Sequence, residues 1–294
     1  MNWKIPAALT ALYLFWGSTY LGIRYAVEVL PPWLMASTRF LIAGGLLLGF
    51  ALFRGESLPQ RKQDWRIAML TGVMLLVCAN GLVTYSEQWV ESNQAALLVA
   101  SSALWMAWLG SLGQKGESLS RWTWAGLALG YAGVFVLMAE GLNHATAPIK
   151  AYLALFISPM AWAAGSIVSR RNPLQCSPVM GAAIQTLTAG VLMGVIGLIL
   201  GEAPRYRWSA QAGWSVAYLV VAGSLIGYLC YYWLISQVTP ALLGTYAYVN
   251  PAVAVWLGWW LADEQLSLWQ WAGTGVILAG VVLVTLGVRR TKRL

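Results

Sequence analysis

Residues 94–134 and 241–281 carry one pattern twice. A shift of 147 places Glu117 on Glu264, Trp122 on Trp269, Trp124 on Trp271, Gly126 on Gly273 and Gly133 on Gly280, with no gap. The start of the chain repeats at a shift of 146: Trp16 meets Trp162, Arg24 meets Arg170, Gly44 meets Gly190, and Gly55-Glu56 meets Gly201-Glu202. Two halves, residues 1–147 and 148–294, therefore derive from one unit. Such a repeat restricts the fold, because each unit must bury a face against its neighbour.

The units are made of membrane helices. Only 10% of the chain is charged, and 59% is apolar. Ordinary soluble domains hold about 25% charged residues. Runs of about 20 uncharged apolar residues are long enough to span a bilayer. Ten such helices are expected near 6–27, 33–53, 65–86, 94–113, 121–139, 150–169, 178–200, 213–235, 241–261 and 268–288. A soluble helical protein would need one polar face on each helix. Most of these have none. The expected class is an all-α membrane protein.

Five helices is an odd number, so the second unit enters the membrane inverted relative to the first. Inverted repeats relate their halves by a pseudo-two-fold axis in the membrane plane, with a binding site at the repeat interface. Rocking one half against the other then opens that site to either side.

The net charge of +8 fits this topology. With both termini cytoplasmic, the inner side holds Lys4, Arg54, Arg61, Lys62, Arg66, Lys115, Arg121, Arg170, Arg171, Arg289, Arg290, Lys292 and Arg293. The outer side holds Arg24, Lys150, Arg205 and Arg207, which gives thirteen cations against four. This is the positive-inside bias. The basic tail at 289–293 reads as an anchor at the anionic inner surface, not as a nucleic-acid site. No small-x-small cleavage site precedes Arg24, so the first helix is expected to be retained. Cys78, Cys176 and Cys230 have no metal-like spacing and read as small apolar residues.

Several polar and aromatic residues recur on single helix faces. Tyr13, Trp16, Tyr20 and Arg24 lie on one face of the first helix, either as a packing stripe or as a cavity wall. Trp162, Ser166 and Arg170 occupy the matching face of the sixth helix, and Pro159 there is a candidate bend. Asn80, Thr84, Glu87 and Gln88 form the main polar face of the third helix. An amide in mid-membrane must find either a neighbouring helix or a hydrated cavity. Tyr228, Tyr231 and Tyr232 sit at the corresponding place in the eighth helix.

Arg39 lies inside the second helix, where a charge is costly. It either snorkels to the headgroups or faces the bundle to pair with a carboxylate of a substrate, of Glu28 or of Glu87. Its repeat mate, Gln185, is neutral. Trp105 and Trp108 follow Ser101-Ser102 in the fourth helix. In the ninth, Tyr246 and Asn250 share a face beside Pro251, which withholds a donor from the carbonyl of Ala247. The repeat position of Pro251 is Leu104, which predicts a break on one side only.

The expected cavity wall is Trp16, Tyr20, Asn80, Thr84, Trp105, Trp162, Tyr232, Tyr246 and Asn250. Arg39, Glu87 and Pro251 are expected to serve gating and charge pairing.

Trp16-Gly17-Ser18-Thr19-Tyr20, Arg39-Phe40, Gly55-Glu56, the run from Ser236 to Pro251, and paired Glu117 and Glu264 with Trp124/Gly126 and Trp271/Gly273 carry a family resemblance. The chain resembles the EamA-type members of the drug/metabolite transporter superfamily over essentially its whole length, especially the YedA-like and YddG-like exporters. That resemblance implies ten helices, a cavity formed by helices 1–4 and 6–9, and export of amino acids, aromatic ones included, or similar metabolites. It also implies a bacterial inner-membrane location. The family often has a proline in both repeats, and Leu104 departs from that pattern.

Other classes fit less well. His144 is the only histidine, and no carboxylate pair lies in mid-membrane, so a catalytic or metal-ligand set is absent from the sequence. No phosphate-binding Gly-Lys-Ser/Thr loop is present, so nucleotide hydrolysis does not drive transport. The expected protein is not an enzyme and uses no cofactor. Its expected partners are a small-molecule substrate and membrane lipid, without nucleic acid, and it acts as a monomer or weak dimer. The alternative is a proton-coupled multidrug or cation efflux carrier, for which Glu87 is the one candidate carboxylate.

Overall fold

The computed structural model describes residues 3–90, 92–113, 116, 118–138, 147–262 and 267–291. The turn glutamates Glu117 and Glu264, His144 and the tail residues Lys292 and Arg293 lie outside the described residues. Within them the chain is helical, with no strand, and forms ten rods. These are α1 (Lys4–Val27), α2 (Pro32–Phe53), α3 (Lys62–Ser86), α4 (Ser92–Ala100 and Ser102–Ser111) and α5 (Arg121–Met138). The second set is α6 (Ile149–Arg171), α7 (Pro178–Ile199), α8 (Ala210–Gln237), α9 (Pro240–Gly244 and Tyr246–Ala262) and α10 (Leu268–Thr291). Six of these rods are long and apolar enough to cross a membrane by length and composition.

The two sets interlock reciprocally. Helix α1 packs on α8 and α9 of the other set, and α6 packs on their counterparts α3 and α4. The repeat mates α2 and α7 pack on each other, as do α5 and α10. Small residues permit both of those pairings. A Cβ on Gly44 would come within 2.9 Å of the Leu187 backbone nitrogen, and one on Gly190 within 2.9 Å of that of Leu41. Between α5 and α10, a Cβ on Gly126 would meet the Gly280 carbonyl at 2.8 Å, and one on Gly133 the Gly273 carbonyl at 3.1 Å. Close backbone approach is the main source of helix association in lipid, where apolar burial drives nothing. The outward faces stay apolar, with Phe50, Leu198, Ile199, Leu278 and Val282 exposed.

The Gly-Glu pairs tie the helix ends. Gly55 (φ 77°) and Gly201 (φ 71°) take the left-handed conformation just past α2 and α7. The amides of Gly55 and Glu56 return to the carbonyls of Leu52 and Ala51, and those of Gly201 and Glu202 to Leu198 and Gly197. Each is a Schellman ending, which satisfies terminal carbonyls. Each glutamate then crosses to the other repeat. Glu202 accepts from the amides of Leu34 (2.9 Å) and Trp33 (3.4 Å), capping the start of α2. Glu56 accepts from the Ser177 hydroxyl, and Ser177 Oγ in turn accepts from the Met180 amide at 3.1 Å, capping α7. Such caps contribute about 1 kcal/mol each.

Two features were not legible in advance. Residues Val73–Gly81 of α3 and Leu219–Tyr228 of α8, equivalent in the two repeats, are π-helical. The interruption in α9 falls at Thr245, and the helix Tyr246–Ala262 continues through Pro251. Helix α4 is interrupted too, at Ser101, so both repeats carry an interruption and neither falls at the expected position, Pro251. At Ser101 the hydroxyl bonds the Leu98 carbonyl, and at Thr245 the hydroxyl bonds the Leu242 carbonyl, so a side chain competes with the ladder in both rods.

Candidate functional site

A cavity opens where the two repeats meet. Its wall takes Trp16, Thr19, Tyr20 and Ile23 from α1, Arg39 and Phe40 from α2, Leu76, Ala79, Asn80 and Val83 from α3, and Val99 from α4. The other repeat supplies Ser158, Pro159 and Trp162 from α6, Gly223 and Tyr228 from α8, and Tyr246 and Asn250 from α9. Helix α7 supplies none of these residues, although the resemblance implied that it would. Its Gln185 side chain is engaged at both ends, donating to Thr71 Oγ1 at 2.8 Å and accepting from the Tyr228 hydroxyl at 2.6 Å.

Aromatic rings form a packed cluster in the cavity wall. Trp16 meets Trp162 edge to face at a centroid distance of 5.3 Å, and Tyr246 at 5.2 Å. Tyr231 packs against both tryptophans at 5.0 Å but stays outside the lining, and its ring is fully buried. The Trp16 indole donates to the Gly223 carbonyl at 3.0 Å, inside the π-helical stretch of α8. A Cβ on Gly227 would collide with that indole, so the bare backbone of this stretch makes room for it. Stretches of this kind frequently mark functional sites.

Polar atoms supply the rest of the lining chemistry. Asn80 and Asn250 each hold a buried side-chain oxygen with no hydrogen-bond partner. A buried unpaired acceptor costs about 1–3 kcal/mol. Arg39 faces the bundle and does not snorkel; it is buried, and its Nε donates to Ser224 Oγ at 2.9 Å.

A family comparison settles the broad identity. The model of the EamA-like transporter family matches residues 3–139 and again 149–286. The chain belongs to that family. Among EamA relatives, the Escherichia coli K12 protein named "Uncharacterized inner membrane transporter YedA" is 44% identical over 282 residues, covering 95% of this chain and 90% of its own. The Bacillus subtilis transporter YvbV is 26% identical, covering 96% and 93%. A solved crystal structure shares the fold, with a TM-score of 0.84 at 21% identity and 99% of each chain covered. This chain is thus a membrane transporter of the EamA family.

Within the EamA fold, Trp16, Tyr20, Asn80, Trp162, Tyr246, Asn250 and Arg39 converge on the cavity. Thr84, Trp105 and Tyr232 lie outside the lining. Thr84 turns back on its own helix to bond the Asn80 carbonyl at 2.9 Å. Trp105 rests edge to face on Trp108 at 5.7 Å. Tyr232 leans on α7, where a Cβ on Gly181 would sit 2.7 Å from its hydroxyl.

Glu87 is also outside the lining, buried, with both carboxylate oxygens unpartnered. Its backbone carbonyl accepts from Arg24 at 3.2 Å, closing the end of α3. Arg170, the repeat mate of Arg24, holds the end of α8 through the carbonyls of Ile235 and Val238. Pro251 sits inside α9 and outside the lining.

Sequence reasoning missed Thr19, Phe40, Ser158, Pro159 and Gly223 as lining residues. Thr19 and Phe40 stand inside the quoted motifs, which were the available signal.

Proposed function

We propose that this EamA transporter carries small metabolites, amino acids including aromatic ones foremost, out of the cytoplasm across a bacterial inner membrane. The two halves, residues 1–147 and 148–294, rock about the cavity in alternating access, with both termini cytoplasmic. The observation that supports this most is the pairing of an aromatic cage, Trp16, Trp162 and Tyr246, with the unpartnered oxygens of Asn80 and Asn250 in one cavity. An apolar pocket with a few convergent polar groups suits a ligand with an apolar body and a polar head.

An organic cation could rest on the same aromatic rings, but a cation already in the wall would repel it. Arg39 is the one charged side chain among the described lining residues, and Glu87 lies outside the lining. The test is uptake of a labelled amino-acid panel into proteoliposomes, with and without a pH gradient. Saturable uptake of phenylalanine, tryptophan or leucine supports the reading. Failure of the whole panel, with transport of a cationic dye instead, overturns it.

A further inference from the structure

Arg39 is seated in the cavity wall with its guanidinium fixed at Nε. It sits about two turns into α2, 4% exposed. Its Nε is fixed by Ser224 at 2.9 Å, and its guanidinium lies over the Phe40 ring at 4.9 Å from the centroid. Gly223 completes the seat, because a Cβ there would collide with Nη2. Among the described residues, Nη1 and Nη2 donate to no protein group, and the one ion pair is Arg24 with Glu28, at 3.6 Å. Among the described residues, Glu87 is the charged group that acts on Arg39, from a distance and without contact.

A buried cation without a contacting anion is costly, and the cost falls when a carboxylate arrives. A guanidinium presents a planar fork that fits a carboxylate with two parallel hydrogen bonds. The repeat mate shows what a purely structural residue at this position looks like: Gln185 is satisfied at both ends, by Thr71 and Tyr228. Also in the lining, Asn250 is 2% exposed, and its buried side-chain oxygen accepts from no donor among the described residues. The Asn80 oxygen is also unpartnered.

Resting on the amino-acid reading above, we propose that Arg39 binds the carboxylate of the transported molecule while Asn250 and Asn80 accept from its ammonium group. The substrate class is then the α-amino acid zwitterion, with its side chain against Trp16, Trp162 and Tyr246. Because Gln185 is neutral and committed, the two repeats do not offer equivalent head-group sites, and the zwitterion binds in one orientation.

The test is competition against labelled phenylalanine on the purified full-length protein in nanodiscs. The competitors are phenylalaninol, which lacks the carboxylate, and phenylpropionate, which lacks the ammonium. Phenylalaninol should compete about tenfold or more weakly than phenylalanine, the usual value of a charge-assisted hydrogen bond. Arg39→Gln should weaken phenylalanine by a similar factor and leave phenylalaninol unchanged. Arg39→Lys, which keeps charge but loses the fork, should fall between.

Equal competition by phenylalanine and phenylalaninol in the unaltered protein overturns the Arg39 assignment while leaving amino-acid transport standing. So does a folded Arg39→Gln protein that still discriminates between them. If Arg39→Gln does not fold, the competitor series on the unaltered protein decides. Absence of binding by any α-amino acid overturns the amino-acid reading and this assignment together.

Discussion

Trp16 and Trp162, which hold the same position in the two repeats, touch edge to face with ring centroids 5.3 Å apart. Repeat mates can meet only near the axis that relates them. This contact therefore lies near that axis, and both rings line the cavity. Edge-to-face pairs contribute about 0.5–1.5 kcal/mol beyond burial.

Truncation of either tryptophan should separate substrates by size. Trp16→Ala removes apolar wall and the hydrogen bond to the Gly223 carbonyl. Trp162→Ala removes wall and one ring contact with Trp16. Initial transport rates should fall for phenylalanine and tryptophan by about tenfold or more, and for alanine by much less, since burying a large side chain is worth about 1.5–3 kcal/mol. An equal loss for large and small substrates would place both rings in packing alone.

Asn250→Ala should reduce transport without reducing stability. Its oxygen has no partner in this conformation, so little folding energy rides on it. Initial rate and detergent-extract melting, measured on the same preparation, decide this. Normal transport, or loss only through unfolding, would make Asn250 a structural residue.

Glu202→Ala should destabilise the protein by about 0.5–2 kcal/mol, the range for a lost helix cap. The amides of Trp33 and Leu34 lose their acceptor, and Pro31 and Pro32 offer no side-chain replacement. Ser177→Ala should do the same at α7 by exposing the Met180 amide. The readout is a thermal shift in detergent, with substrate affinity unchanged in both variants, because neither residue lines the cavity.

Single cysteines at Lys62 and Arg205 should label from opposite faces of intact cells. Lys62 opens α3, and Arg205 lies between α7 and α8, which the odd helix number places on opposite sides. A membrane-impermeant reagent should reach position 205 and not 62. Equal labelling would break the inverted topology.

The sequence by itself determined the helical rods, their doubling and their inversion. Lipid imposes uniform apolarity on a spanning helix, so the rods are visible as runs, and the repeat is visible as matched Trp, Gly and Glu. Even the Gly-Glu pairs were legible as motifs, because a left-handed helix ending demands glycine at Gly55 and Gly201.

What those glutamates grip was not legible, since Glu202 and Leu34 are distant in sequence and meet only after α2 and α7 pack. The π-helical stretches were also hidden. A change of hydrogen-bond partner from i−4 to i−5 has no side-chain signature, yet it alters the angle at which later residues leave the helix. Arg39 shows the same limit. Its sequence position allowed either the headgroups or the bundle, and only the approach of Gly223 and Ser224 from α8 gives a buried guanidinium a seat.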